Sequence, residues 1–369
     1  MLYFLPALFL VVVLVIVLRP AGRRFGLFDH PVGRKNHQRP VLVIGGIAMV
    51  LAFNVFLLWL GLISGPVIYL VLALLLICIV GLVDDIHQLS SRVLFLTQII
   101  ASLVIICLGE TQVQSLGNLF GLGDVHIGML ATLFTLICFM GVINAVNMTD
   151  GMDGLAGLVG LTAAAWFAVL AHLSGMLNLY AMLMLLLGVL LGFLLFNMRT
   201  PWRKQASIFM GNAGSMSLGL LLTWFAIQLL GSGQLDGQVT PITAVWVIAL
   251  PLMDMARVML SRLRQGKSLF TGDHLHLHHM LSSVGYSVEQ VVVIKGLLSA
   301  TLGGIGVVAW YIGIPEWVMF YAFVVVMVAY FYIMGSAWPQ VYPWIERRHT
   351  PRRKGLVKKM ENTAFNKMD

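Results

Sequence analysis

The sequence predicts an all-α, polytopic integral membrane protein with eleven transmembrane helices. Three observations predict it. Only 10% of the 369 residues are charged while 59% are hydrophobic, against roughly 25% charged in an ordinary soluble domain. Apolar runs approaching the roughly 20 residues a helix needs to cross a bilayer recur from one end of the chain to the other. None of them alternates apolar with polar residues, as the strands of a membrane barrel must.

The runs fall at 2–18, 42–62, 67–83, 93–109, 127–146, 155–173, 177–197, 214–231, 242–260, 291–312 and 317–336. The first has no basic segment before it and no small-residue cleavage site after it, and "RPAGRR" follows as a stop-transfer pattern, so a membrane anchor is expected rather than a signal peptide. The second and third are separated only by "ISGP" at 63–66. Eleven spans leave the termini on opposite sides, and Lys and Arg decide which is which. Loops after odd-numbered spans carry Arg19, Arg23, Arg24, Arg34, Lys35 and Arg39, then Arg92, then Arg199, Arg203 and Lys204, then Arg262, Arg264 and Lys267, and finally a tail from Arg347 to Lys367. Loops after even-numbered spans, such as 231–241, carry none. The N-terminus is therefore expected outside and the C-terminus in the cytoplasm, with 1–340 a transmembrane catalytic domain and 341–369 a basic cytoplasmic tail. Topology and anionic lipid account for the net charge of +8, which removes nucleic acid as a partner. Cys78, Cys107 and Cys138 each sit inside an apolar span, where packing is their expected role.

With that orientation, the unusual polar residues gather on the cytoplasmic side. "GLVDDIHQLSSR" (81–92) ends the third span with Asp84 beside Asp85. Adjacent carboxylates oppose each other's charge, and a helix C-terminus opposes both, so a divalent metal or a basic partner is implied unless the pair lies in a solvated loop. "NAVNMTDGMDG" (144–154) spaces Asn147, Asp150 and Asp153 by three, which a helical turn would place on one face. Carboxylate and carbonyl oxygens are what Mg²⁺ takes, the alternative being a capped helix start. "FMGNAGS" (209–215) opens the eighth span with small residues, which expose backbone N–H groups to an anion or permit tight helix packing. Asp254, in "PLMDMARVML", is expected to pair with Arg257 or Arg262 of its own helix. "GDHLHLHHM" (272–280) crowds His274, His276, His278 and His279 into six residues, which points to zinc or to phosphate contacts. "GRKNHQRP" (33–40) is a basic entry segment that suits either the membrane orientation or a phosphorylated substrate. The combination fits a metal-dependent reaction on phosphates at the lipid interface. No Walker A or dinucleotide fingerprint is present. A secondary transporter or lipid flippase, the rival from another class, would place its ionisable groups near the bilayer midplane rather than at span ends.

"LVDD" (82–85), "NAVNMTDGMDG" (144–154), "FMGNAGS" (209–215) and "HLHH" (276–279), in this order, resemble the polyprenyl-phosphate N-acetylhexosamine-1-phosphate transferases, and within them the bacterial undecaprenyl-phosphate enzymes. The similarity extends to "RKNHQ" (34–38), "PLMDM" (251–255) and "PEWVM" (315–319). The resemblance implies that undecaprenyl phosphate attacks the sugar-linked phosphate of UDP-GlcNAc, giving undecaprenyl-diphospho-GlcNAc and UMP, with Mg²⁺ or Mn²⁺ required. It implies a bacterial inner-membrane enzyme whose active site faces the cytoplasm and which initiates O-antigen or another envelope polysaccharide. Another N-acetylhexosamine 1-phosphate is the alternative donor group, and membrane lipid and a second copy of the chain complete the expected partners. Carried over by motif, Asp84 and Asp85 bind metal or activate the lipid phosphate, Asp150 and Asp153 join them in catalysis, and Asn147 lines the nucleotide site. His276, His278 and His279 hold the diphosphate, and Arg34, Lys35 and His37 contact phosphate. One position departs from the family pattern F-x-G-D-x-G-S, whose Asp is a metal ligand: this chain has Asn212. Asn keeps a carbonyl oxygen and loses the charge, which weakens metal binding. A natural variant, an inactivating change and a paralogue with altered chemistry all fit that substitution.

Overall fold

The computed structural model describes residues 3–29, 40–231, 239–268 and 275–337. Thirteen α-helices follow one another among the described residues: α1 (Phe4–Arg24), α2 (Gly45–Trp59), α3 (Pro66–His87), α4 (Ser91–Leu103), α5 (Ala131–Thr149), α6 (Leu155–Leu173), α7 (Leu177–Asn197), α8 (Gly211–Leu230), α9 (Pro241–Val247), α10 (Ala249–Arg264), α11 (Leu277–Ser283), α12 (Val288–Tyr311) and α13 (Glu316–Tyr332). The named strands there are a two-residue antiparallel pair, β1 (Phe28–Asp29) on β2 (Val41–Leu42). Nine of the helices, α4 counted with the π turn that extends it to Leu108, are long and apolar enough to cross a membrane. The protein is thus an all-α polytopic membrane protein.

Two of the predicted spans take a different form. The segment expected at 42–62 becomes the 15-residue α2, which starts only at Gly45. Its predicted first turn is extended chain instead, because Leu42 and Gly45 exchange backbone hydrogen bonds with Phe209, whose N–H donates to the Leu42 carbonyl at 2.8 Å while Gly45 N–H donates to the Phe209 carbonyl at 2.9 Å. The segment expected at 242–260 is broken into α9 and α10, bent by 80°. Pro251 supplies the reason. It has no N–H to give the Val247 carbonyl four residues back, and its ring collides with that carbonyl in a continuous helix, so the chain turns at Ile248. The bend leaves Asp254, on α10, inside the protein rather than along a straight lipid-facing rod.

The most buried helix, α8, packs against α2, α3, α5 and α6. Small residues make these approaches close. A methyl group at Gly81 of α3 would stand 2.6 Å from the Ala213 Cα of α8, and one at Gly46 of α2 would strike the Gly214 backbone. Without a hydrophobic drive between helices in lipid, such close backbone packing is what holds them. Phe53, Phe139, Phe167, Phe193 and Phe225 fill the core around α8. At the other extreme, α13 buries only Met319 and exposes Val325, Val328 and Tyr332, an apolar surface suited to lipid and not to water. Cys78 is buried as expected of a packing residue, whereas Cys107 faces outward.

Candidate active site

The C-terminal end of α3 meets the N-terminal end of α8. Asp85 Oδ1 accepts the backbone N–H of Asn212 at 2.8 Å, and its Oδ2 accepts that of Ala213 at 3.4 Å. These are first-turn amides with no partner inside their own helix, at the positive end of its dipole. The exposed N–H groups expected of "FMGNAGS" are therefore taken by an anion of the chain itself. Gly211 is required here: its φ is +68°, and a Cβ would collide with the Asp85 carboxylate and with Val43. Asp84 is buried and receives the side-chain NH₂ of Asn212 on Oδ2. Asn212 Oδ1 in turn accepts Asn147 Nδ2 of α5 at 2.6 Å, and the same Asn147 amide reaches Ser215 Oγ at 2.9 Å. The Asn212 amide thus ties three helices together, with its donor on Asp84 and its acceptor on Asn147.

Asn147, Asp150 and Asp153 do not share a helical face, contrary to the spacing argument, because α5 stops at Thr149. Asp150 caps it in a non-helical conformation, and Gly154 enters α6 at φ +84°. The loop is pinned by residues that the sequence reading missed. Asn197, at the end of α7, accepts the Gly154 N–H at 2.8 Å and donates to the Ile208 carbonyl at 2.8 Å. Asp153 turns away to Arg199, whose Nε donates at 2.7 Å, and to the Ala206 N–H at 3.0 Å. Asp150 makes no side-chain hydrogen bond among the described residues and is half-buried. Its carboxyl is pushed up to about 7, first by loss of water and then by the charges of Asp85, Asp153 and Asp29.

His278 lies against this loop, so closely that a Cβ on Gly151 would be 2.5 Å from its Nε2. The His276 and His278 rings are nearly parallel with centroids 5.6 Å apart, and His279 follows at 4.2 Å from His278. His278 is buried, and among the described residues its Nδ1 has no hydrogen-bond partner. Burial, then Lys295, His279 and His276, push its pKa down to about 2, so the ring is neutral and offers a phosphate no charge. Asp254 does not pair with Arg257 or Arg262 of its own helix. It faces His276, the Leu277 N–H, Lys295 of α12 and Tyr330 of α13. Lys295 could have been found in the sequence: a lone cation within "VVVIKGLLSA" demands a buried partner.

Among the described residues no three His, Cys, Asp or Glu side chains gather as a protein-built metal cage, whether for zinc at the His cluster or elsewhere. Asp84 and Asp85 are two hard-oxygen carboxylates that both bond to Asn212, one to its side-chain amide and the other to its backbone N–H. Mg²⁺ is commonly held by one or two carboxylates together with substrate phosphates, so this corner fits a cation that arrives with a diphosphate. Arg34, Lys35, His37, His274 and the tail 341–369 lie outside the described residues.

The family described as glycosyl transferase family 4 matches the chain over residues 67–230. The chain is similar to the undecaprenyl-phosphate alpha-N-acetylglucosaminyl 1-phosphate transferase of Haemophilus influenzae, with 32% identity over 345 residues, 93% of this chain and 96% of that protein. Proteins of the same description from Pasteurella multocida (32% over 335 residues; 90% of this chain, 92% of that one) and Escherichia coli (31% over 344 residues; 91% and 92%) are similar to a like degree.

Proposed function

The chain belongs to glycosyl transferase family 4, and from that premise we propose that it transfers GlcNAc 1-phosphate from UDP-GlcNAc to undecaprenyl phosphate, with Mg²⁺ or Mn²⁺ as the cation. One observation carries the reading beyond the names of the relatives. Carboxylates from α3 and the α5–α6 loop, the first turn of α8 and the His cluster converge, as a reaction between two phosphorylated substrates requires.

In the reaction, an acceptor phosphate oxygen attacks the sugar-linked phosphorus of the donor. The new P–O bond forms as the bond to the bridging oxygen breaks, and UMP departs with that electron pair. The cation, when bound, neutralises the charge of the diphosphate. Asp84 and Asp85 would hold it, Asp85 being fixed on the α8 amides and Asp84 on Asn212. Among the described residues Asp150 is the site carboxylate without a side-chain hydrogen bond, and it takes the acceptor's proton. Asn147 and His278 supply neutral contacts.

The direct test is an assay of detergent-purified protein, native and Asn212→Asp, with labelled UDP-GlcNAc and undecaprenyl phosphate. Labelled lipid should form with Mg²⁺ or Mn²⁺ and not in excess EDTA. Equal product in EDTA would remove the cation from the mechanism.

Asp150 gives the reaction a pH dependence. A base with a pKa of about 7 is increasingly deprotonated above that value, so the rate should level off above pH 7 and fall about tenfold per unit below it. Asp150→Asn should lower kcat by about 10²–10⁴-fold and leave a residual rate without that limb. An acid limb that persists unchanged in the variant would assign the proton to another group.

The reading also places the site in the cytoplasm of a bacterium, where UDP-sugars are made, at the face of the inner membrane. In a Cys-free background, Asp236→Cys in the loop without Lys or Arg should be labelled from the periplasm, and Asp273→Cys only after permeabilisation. Both positions lie outside the described residues. The reverse labelling would invert the chain.

A further inference from the structure

Asp254 is 2% exposed, and both of its oxygens are fully engaged. Oδ1 accepts the Leu277 N–H at 3.0 Å and the Tyr330 hydroxyl at 2.9 Å. Oδ2 faces Lys295 Nζ at 3.4 Å and His276 Nδ1 at 3.3 Å. The partners come from α12, α13 and the start of α11, and all lie outside the residues 67–230 that the family matches. A carboxylate can only accept hydrogen bonds, so His276 carries a hydrogen on Nδ1 and turns Nε2 away from Asp254. One carboxylate therefore fixes both the ring of His276 and the backbone that follows it. From His276 the contact continues through the parallel His278 ring to Gly151, in the loop that bears Asp150.

We propose that Asp254, its charge held by Lys295 and Tyr330, is a positioning residue that sets the His cluster against the Asp150 loop and thereby governs affinity for the nucleoside diphosphate sugar. The claim about affinity rests on the donor reading given above; the claim about His276 does not. Its logic is that of carboxylate–histidine pairs elsewhere, in which the carboxylate fixes the tautomer and the ring orientation. The last two helices described, α12 and α13, thus bear on the site through Asp254 without touching substrate.

Two measurements test it. Nitrogen-15 spectra of histidine-labelled protein in detergent, with His276 assigned by its loss in His276→Gln, should show hydrogen on Nδ1 in the native chain and in Lys295→Arg. The paired variant Asp254→Asn/Lys295→Met removes both buried charges at similar volume, so it remains foldable, and it should lose that signature. Calorimetry should then show the dissociation constant for UDP-GlcNAc rising tenfold or more in the paired variant and less than twofold in Lys295→Arg. Binding of undecaprenyl phosphate should stay within twofold in both, which a general loss of structure would not allow. A native His276 with hydrogen only on Nε2 overturns the proposal, and so does unchanged donor binding in the paired variant. If the native chain binds no UDP-GlcNAc, the donor reading falls, and the spectra alone decide whether Asp254 positions His276.

Discussion

Asn212→Asp is expected to raise kcat by about 10²-fold or more, equivalent to about 2.7 kcal/mol of transition-state stabilisation. In the native chain the Asn212 amide donates to Asp84 and accepts from Asn147, so these three side chains satisfy one another without a cation. A carboxylate at 212 can still accept from Asn147 but cannot donate to Asp84. It would place a third negative charge against Asp84 and Asp85, and only a cation resolves that repulsion. The same change should therefore lower the melting temperature in EDTA and restore it with Mg²⁺, while the native chain melts alike in both. Rates at saturating substrates, measured side by side over a Mg²⁺ titration, separate two causes of a gain. A gain that vanishes at high Mg²⁺ means that Asn212 only weakens cation affinity; a gain that persists means that the charge acts on the leaving diphosphate. Equal rates at every Mg²⁺ concentration would show that position 212 does not serve the cation.

The membrane architecture was legible because it depends on composition over windows of about 20 residues, and lipid leaves few alternatives to a helix. Averaging over such windows is also why the break at Ile248 was missed: hydropathy stays high through Pro251, and only the missing N–H marks the bend. The site was legible as a set of motifs but not as a set of bonds. Asp85 is satisfied by backbone amides, which leave no letter in the sequence beyond the small residues that admit them. Asp153 finds Arg199 some distance along the chain, across α6 and α7, so its spacing from Asn147 carried no information about its partner. Asp254 had three basic residues within three turns on its own helix, Arg257, Arg262 and Arg264, yet Lys295 and Tyr330 reach it from α12 and α13, because the bend in α9–α10 turns it toward them.

Lys295→Met is expected to be the most destabilising single change in this region, by about 3–5 kcal/mol, the usual cost of leaving one member of a buried ion pair unpaired. Lys295 is 1% exposed and its partner 2%, so no water can replace the ammonium once it is gone. The Tyr330 hydroxyl and the Leu277 N–H remain on Oδ1, but Oδ2 is left with His276 alone. Asp254→Asn by itself should destabilise for the converse reason, with a buried ammonium facing a neutral amide. The paired variant should be far less affected than the sum of the two, because a buried pair replaced by neutral groups of similar volume loses its desolvation penalty along with its attraction. Denaturation of the four proteins in mixed micelles measures the cycle, and a coupling of several kcal/mol is the expected result. Single variants as stable as the native chain would mean that Lys295 is not held as a charge against Asp254. The His cluster would then owe its place to the Leu277 and Tyr330 hydrogen bonds alone, which would survive in Lys295→Met and keep donor binding intact.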